Sequence, residues 1–252
     1  MRIEVLFPEI CNLYGELFNI ELIKKSCPDA EITETNLNDE PLFASETPDL
    51  IYMGTMSEKS QEMVIEKLSP YKDRISQLIA KGAHFLITGN ALEIFGEKIE
   101  DKDGTVVAGL GMFPFTTNRD MMNRFNSLYL GKFSVRPDSD SPDSDELMKM
   151  VGFKSQFTHS YWKENAETPA PLFETLRGPG LNPDIKGEGI RVNNFMATYV
   201  IGPLLVLNPP FAEYLMSECS GKAEEITFRD AAYDAYDARV SEYSDEHTGF
   251  YY

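Results

Sequence analysis

Residues 84–96 read His-Phe-Leu-Ile-Thr-Gly-Asn-Ala-Leu-Glu-Ile-Phe-Gly. A short apolar run, Phe85–Ile87, ends abruptly at Thr88-Gly89-Asn90, and a helix-like segment, Ala91–Phe95, begins at once. A buried strand turning sharply into a helix is the geometry of a nucleophile elbow. Such a turn holds one side chain in a strained backbone position above the sheet, with a helix N-terminus behind it to stabilise negative charge. The residue at this turn is Gly89, which has no side chain with which to attack. The stretch has the frame of an active site without its nucleophile, and glycine leaves the turn free to relax.

Working outward, the first half alternates strand and helix. Ile3–Phe7 reads as a strand, Gly15–Ser26 as a helix with Leu17, Ile20, Leu22 and Ile23 as its apolar positions, and Glu31–Leu37 as an edge-like strand. Asp49–Met53 is a buried strand ending at Gly54. Ser57 N-caps a helical stretch reaching about Ala80, broken or kinked by Pro70. This order and spacing predict an α/β fold with an open, mostly parallel sheet.

The second half is richer in strands, with candidates at Val106–Leu110, Ser127–Phe133, Met148–Phe153, Ile190–Asn193 and Met196–Ile201. Arg136–Glu146 is rich in Pro, Ser and Asp and reads as an exposed, mobile loop; its acids lack the spacing and glycine of a calcium loop. Helices are expected at Pro210–Ser217 and Thr227–Tyr243, followed by a tail, Glu246–Tyr252, loose or docked by its aromatics. No linker divides the chain, so residues 1–252 are read as one domain.

The 252 residues are 42% hydrophobic, enough for a sizeable core. No apolar run approaches the roughly 20 residues needed to span a membrane. Met1–Phe7 carries an acid, Glu4, within its short apolar stretch and reads as a first strand rather than a signal peptide. Net charge is −18, which opposes binding to nucleic acid and to anionic lipid surfaces. Cys11, Cys27 and Cys219 are odd in number and form no CxxC, which argues against a disulfide framework or a metal site and for a reducing cytoplasm. No cofactor is expected.

Four segments, in order, carry a resemblance. They are Asn12-Leu13-Tyr14-Gly15 with Asn19; the turn at Gly89; Gly109-Leu110-Gly111-Met112-Phe113 followed by Thr116 and Arg124; and Ala197–Leu205 leading to Asn208-Pro209. Together they resemble the class I glutamine amidotransferases of the cobyric acid synthase type, nearest the small amidotransferase subunits of lipid II isoglutaminyl synthases. The resemblance runs from about residue 3 to residue 218. It implies a flavodoxin-like sheet with helices on both faces. In that family an elbow cysteine attacks the glutamine amide, a histidine acts as general base and acid, and a glycine-rich loop holds the oxyanion.

Carried over position by position, the family's Cys-Gly-Gly-Tyr-Gln-Leu-Leu-Gly falls on Gly89–Gly96, so Gly89 stands at the nucleophile. Its Tyr-Leu-His-Gly-Pro falls on Tyr199-Val200-Ile201-Gly202-Pro203, so Ile201 stands at the histidine. The oxyanion loop Gly-Gly-Gly-Gln-Asp is Gly54-Thr55-Met56-Ser57-Glu58 here, keeping only its first glycine. The family's Gly-Phe-Glu-x-His-x-Gly is Gly152-Phe153-Lys154-Ser155-Gln156-Phe157-Thr158, without its acid or histidine. These departures agree with one another, and Ile201 cannot move a proton.

The expectation is therefore an amidotransferase-like chain that has lost glutaminase activity, with no catalytic residue and no metal. The positions expected to line the remaining pocket are Asn12, Tyr14, Gly54, Thr55, Asn90, Arg124 and Tyr199. Arg124 resembles the family's substrate-carboxylate anchor. The resemblance further implies a Mur-ligase-like or other synthetase partner subunit, and an amino acid or peptidoglycan fragment as ligand. Two alternatives stay open: an active enzyme using a non-standard nucleophile in the same pocket, or a small-ligand-binding module. Thr88 and Cys11 are the nearest substitute nucleophiles, and both read more simply as structural residues. His84 reads as structural, His159 as a surface or partner contact in an aromatic patch, and His247 as part of the tail.

Overall fold

The computed structural model describes residues 1–136 and 147–252. The mobile loop expected at Arg136–Glu146 lies, from residue 137 onward, outside the described residues.

The first half builds the main sheet. Strands β1 (Arg2–Leu6), β2 (Glu31–Thr35), β3 (Leu50–Met53) and β4 (His84–Thr88) pair in parallel, with β2 on the edge. The chain later returns to this sheet. With β14 (Phe195–Thr198) parallel to β4, and β13 (Ile190–Val192) antiparallel outside it, the order is β13-β14-β4-β3-β1-β2. Successive side chains on a strand face opposite ways, and both faces are covered. Ile51, Met53, Phe85 and Ile87 pack under α2 (Glu58–Leu68) and α3 (Lys72–Ala80) through Val64, Ile65, Leu68, Ile75 and Leu78. Ile3, Val5, Leu50, Tyr52 and Leu86 pack on the opposite face under α1 (Phe18–Ser26) and α5 (Pro209–Ser220). The apolar runs of β3 and β4 are thus those of strands buried on both sides.

Local signals account for several boundaries. Ser57 caps α2, its hydroxyl accepting from the Ser60 amide at 3.2 Å. Pro70 sits in a tight turn, residues 69–71, that separates α2 from α3. Glu4, the acid inside β1, is fully buried, and its carboxylate accepts from Thr35 Oγ1 (2.6 Å) and the amides of Leu42 (2.6 Å) and Phe43 (2.8 Å).

Two four-stranded sheets flank the main one. One has the order β10-β7-β5-β6, made of β5 (Lys98–Asp101), β6 (Val106–Ala108), β7 (Phe115–Arg119) and β10 (Thr158–Trp162). The other has the order β12-β11-β8-β9, made of β8 (Phe125–Ser134), β9 (Leu147–Gln156), β11 (Phe173–Arg177) and β12 (Gly187–Glu188). Strands at 98–101, 115–119, 158–162, 173–177 and 187–188 have no counterpart in the sequence-based expectation. The strand expected at Met196–Ile201 ends at Thr198, and Ile201 instead forms a bridge to Phe153 of β9. The last helix, α6 (Arg229–Ser244), lies over β8 and β9, its Tyr236 hydroxyl donating to the Lys149 carbonyl at 2.8 Å. The tail is docked: Phe250 is buried beneath the Arg177 guanidinium, 4.1 Å from its ring centroid, and Tyr251 bridges to Ser127.

Candidate functional site

The turn after β4 keeps the strained geometry. Gly89 has φ +63°, in the left-handed region that costs an L side chain energy. The residues that follow, Gly89–Phe95, wind as a 3-10 turn rather than an α-helix. The turn has therefore not relaxed, contrary to the freedom that glycine offers. What has changed is the space above it. A Cβ at Gly89 would stand 2.4 Å from Thr55 Cβ, 2.6 Å from Thr55 Oγ1 and 3.3 Å from Ile201 Cγ2. The two positions that the family frame assigns to nucleophile and base do meet in space, and they hold a hydrogen atom and a sec-butyl chain with no proton to give. Thr55 fills the gap between them.

The oxyanion loop is equally committed. The Met56 amide donates to Asn90 Oδ1 (3.0 Å), Thr55 Oγ1 donates to the same oxygen (2.8 Å), and Asn90 Nδ2 donates back to the Met56 carbonyl (2.8 Å). A backbone donor already held by a fixed side chain is not free to meet developing charge.

Behind the turn lies a buried carboxylate that sequence reasoning missed. Glu16 Oε2 accepts from Thr88 Oγ1 at 2.5 Å and Asn19 Nδ2 at 3.2 Å, and Oε1 accepts from the Gly202 amide at 3.0 Å. Burial raises its pKa, and these hydrogen bonds offset part of that effect. Thr88, the substitute nucleophile weighed above, is thus fully buried with its proton pointed at Glu16. Cys11 is buried against Met56 (Sγ to Sδ, 3.9 Å), and burial pushes its thiol far up, so it is no thiolate at neutral pH. Glu93 is a second buried acid, its carboxylate accepting from Gln61 Nε2 (2.8 Å) and Thr158 Oγ1 (2.5 Å); burial raises its pKa as well. No spacing pattern marks Glu16 or Glu93, because their partners lie up to 186 residues away in sequence.

Lys154, where the family has an acid, is fully buried. Its ammonium donates to Glu188 and to the Gly180 carbonyl (2.7 Å), and Glu188 Oε1 accepts from Thr198 Oγ1 (2.9 Å) and the Tyr199 amide (2.8 Å). Burial lowers the lysine pKa and the facing carboxylate opposes the shift. The reversed charge here has been matched by an internal partner.

A small cavity of about 90 Å³ remains beside this region. Of the expected lining residues, Tyr14, Thr55, Asn90 and Arg124 border it. The other three do not. Asn12 accepts from the Leu17 amide (3.0 Å) and shapes the turn carrying Tyr14. Gly54 lies behind the wall, where a Cβ would stand 2.5 Å from the Cys11 carbonyl oxygen. Tyr199 is buried, its hydroxyl sharing a 2.7 Å hydrogen bond with Ser160. Tyr14 itself has φ +60° and donates to Ser155 Oγ at 3.1 Å. The Arg124 guanidinium lies 4.5 Å from the centroid of the Phe157 ring and has no ion pair among the described residues. His84 keeps one ring nitrogen, Nε2, without a hydrogen-bond partner among the described residues, and His159 faces a different cavity.

A parallel sheet with helices on both faces, a left-handed turn at the C-terminal end of a central strand, and a loop folded over it define the class I glutamine amidotransferase architecture. The chain belongs to the CobB/CobQ-like glutamine amidotransferase domain family, whose model matches residues 2–208. It is similar to the lipid II isoglutaminyl synthase (glutamine-hydrolyzing) subunit GatD of Staphylococcus aureus strain N315, 25% identical over 82% of this chain and 79% of that protein. It is also similar to GatD of Streptococcus pneumoniae strain ATCC BAA-255 / R6, 23% identical over 86% and 79%. Among solved structures, PurLQS from Thermotoga maritima shares the fold, with a TM-score of 0.54 at 10% identity, covering 95% of this chain and 98% of that one. Among the described residues no helix is long and apolar enough to cross a membrane.

Proposed function

We propose that this chain is a glutamine amidotransferase-type subunit of lipid II amidation that no longer hydrolyses glutamine and serves as a binding or scaffolding companion to a Mur-ligase-like synthetase. The observation that carries the reading is the occupancy of the nucleophile's place by Thr55 and Ile201, above a turn whose φ is left-handed. The Met56–Asn90 hydrogen bonds support it, since they close the oxyanion loop on itself. The burial of Thr88 and Cys11 weighs against a substitute nucleophile. The partner is inferred from the relatives, whose names describe a synthase subunit.

One observation favours a second reading, a small-ligand-binding module: Arg124 borders the remaining cavity, stacked on Phe157 and with no ion pair among the described residues. An anionic headgroup suits it. The two readings are compatible in one molecule.

The test is to co-express the chain with a Mur-ligase-like synthetase and assay lipid II amidation by the purified complex. Amidation supported by ammonium chloride but not by glutamine is the expected result. Glutamine-supported amidation, or failure of the two chains to co-purify, rejects the proposal.

A further inference from the structure

Away from the elbow, the outer face of the β10-β7-β5-β6 sheet borders a cavity of about 580 Å³ that shares only Phe157 with the smaller one. Alternation on β10 turns Thr158 and Ser160 inward, both buried, and His159 and Tyr161 outward. On β7, opposite them, Asn118 faces out while Thr117 and Arg119 face in. His159 and Asn118 are direct cross-strand partners, and Glu100 of β5 continues the same row.

The charges around this cavity are already matched. Glu100 pairs with Lys98 at 2.8 Å, Asp120 with Lys102 at 2.8 Å, and Asp101 faces the Arg119 guanidinium at 3.6 Å. Asp120 is further held by Asn123 Nδ2 (2.6 Å) and the Met122 amide (3.1 Å). Each charged side chain lining this cavity thus has an ion-pair partner among the described residues. Three neutral groups have no hydrogen-bond partner among the described residues, the Asn118 amide, the Tyr161 hydroxyl and the ring nitrogens of His159, while the one unpartnered atom of the Arg119 guanidinium, Nε, is buried. Burial lowers the His159 pKa, the nearby Lys154 charge acts in the same direction, and Asp184 opposes them, so the shift favours the neutral ring. A neutral imidazole is both donor and acceptor. The rings are braced as well, His159 by Phe125 at 5.4 Å between centroids and Phe157 by Arg124.

Aromatic faces take up C–H surface, while free amide, imidazole and hydroxyl groups exchange hydrogen bonds with hydroxyls or acetamides. Cavities of roughly 300–1,000 Å³ hold small molecules. We propose that this cavity is a binding site for a neutral saccharide ring bearing hydroxyl or acetamido groups, separate from the amidotransferase pocket and independent of whether that pocket is active. Tyr161 and His159 supply the apolar platform and Asn118 the directional hydrogen bonds, with the paired carboxylates of Glu100 and Asp120 as fixed acceptors at the rim.

The sole tryptophan, Trp162, follows Tyr161 on β10 and gives an intrinsic fluorescence probe of this strand. Titrations with N-acetylglucosamine and with glucose are run against spermidine and citrate as charged probes. The expected result is saturable binding of at least one sugar, with a dissociation constant on the order of 1 mM and no saturation by the ions. Tyr161→Ala, His159→Ala and Asn118→Ala are each expected to weaken binding about 10-fold while leaving the thermal midpoint near that of the parent. Absence of saturable binding by both sugars overturns the proposal. So does binding indifferent to all three substitutions, or saturation by spermidine or citrate in place of a sugar.

Discussion

Replacing Gly89 by alanine tests the geometry of the turn with a single methyl group. Two costs add. An L side chain in the left-handed region at φ +63° costs about 1–2 kcal/mol. The new Cβ would lie 2.4 Å from Thr55 Cβ and 2.6 Å from its hydroxyl oxygen, an overlap that must move the loop, and overpacking of this kind costs about 1–3 kcal/mol. Reduced freedom of the unfolded chain returns roughly 0.4–1 kcal/mol. The net loss is about 1–5 kcal/mol, or about 2–20 °C in the unfolding midpoint for a chain of this size. Adding Thr55→Gly removes the overlap and leaves the strain. The double variant should therefore recover part of the loss, as a coupling of about 1–3 kcal/mol in the cycle. Urea unfolding followed by Trp162 fluorescence measures each corner, with an unchanged m value as the check that only stability has moved. Gly89→Ala as stable as the parent would refute the reasoning, and so would a loss that Thr55→Gly leaves untouched.

Other outcomes follow from the same contacts. Gly89→Cys with Ile201→His should give no more than trace glutamine hydrolysis in an ammonia-release assay. The Met56 amide stays bound to Asn90, and one lost oxyanion donor alone costs about 10²–10³ in rate. Lys154→Met leaves Glu188 buried without its counter-ion and should cost about 3–5 kcal/mol in denaturant unfolding, while Lys154→Met with Glu188→Leu should recover most of that. The folded chain should react slowly with thiol reagents, since all three cysteines are buried and burial raises the Cys27 thiol to about 11; thiol titration before and after unfolding measures this. Arg177→Ala removes the guanidinium that donates to the carbonyls of Tyr243 (2.7 Å), Asp245 (2.5 Å) and Thr248 (2.8 Å), so limited proteolysis should clip the tail after residue 244 faster than in the parent.

The main sheet was legible in the sequence because its signals are local. The all-apolar runs of β3 and β4 mark strands covered on both faces, and Ser57 and Pro70 mark the ends of α2. The flanking sheets were not. Phe115-Thr-Thr-Asn-Arg119 and Thr158-His-Ser-Tyr-Trp162 are short and mostly polar, and each is a strand only because the other lies beside it, some forty residues distant. Pairing at that separation leaves no mark in either segment alone. At the site, the meeting of Gly89 with Ile201 followed from the family's frame, with no periodicity of its own. That Thr55 would fill the gap, that Asn90 would take the Met56 amide, and that Glu16 would be walled in beneath Gly202 depend on side-chain packing between distant segments. The same holds for Lys154, whose loss of the family's acid was visible while its compensation by Glu188 was not.

The most direct measurement of the central claim is glutamine-dependent ammonia release by the purified chain, alone and in complex with a synthetase partner, with mass spectrometry of the intact protein to detect a trapped acyl adduct. With Gly89 and Ile201 at the nucleophile and base positions, ammonia should stay at the level of the protein-free blank and the mass should not change. Turnover that survives stringent purification, or a glutamyl adduct on any residue, would contradict it.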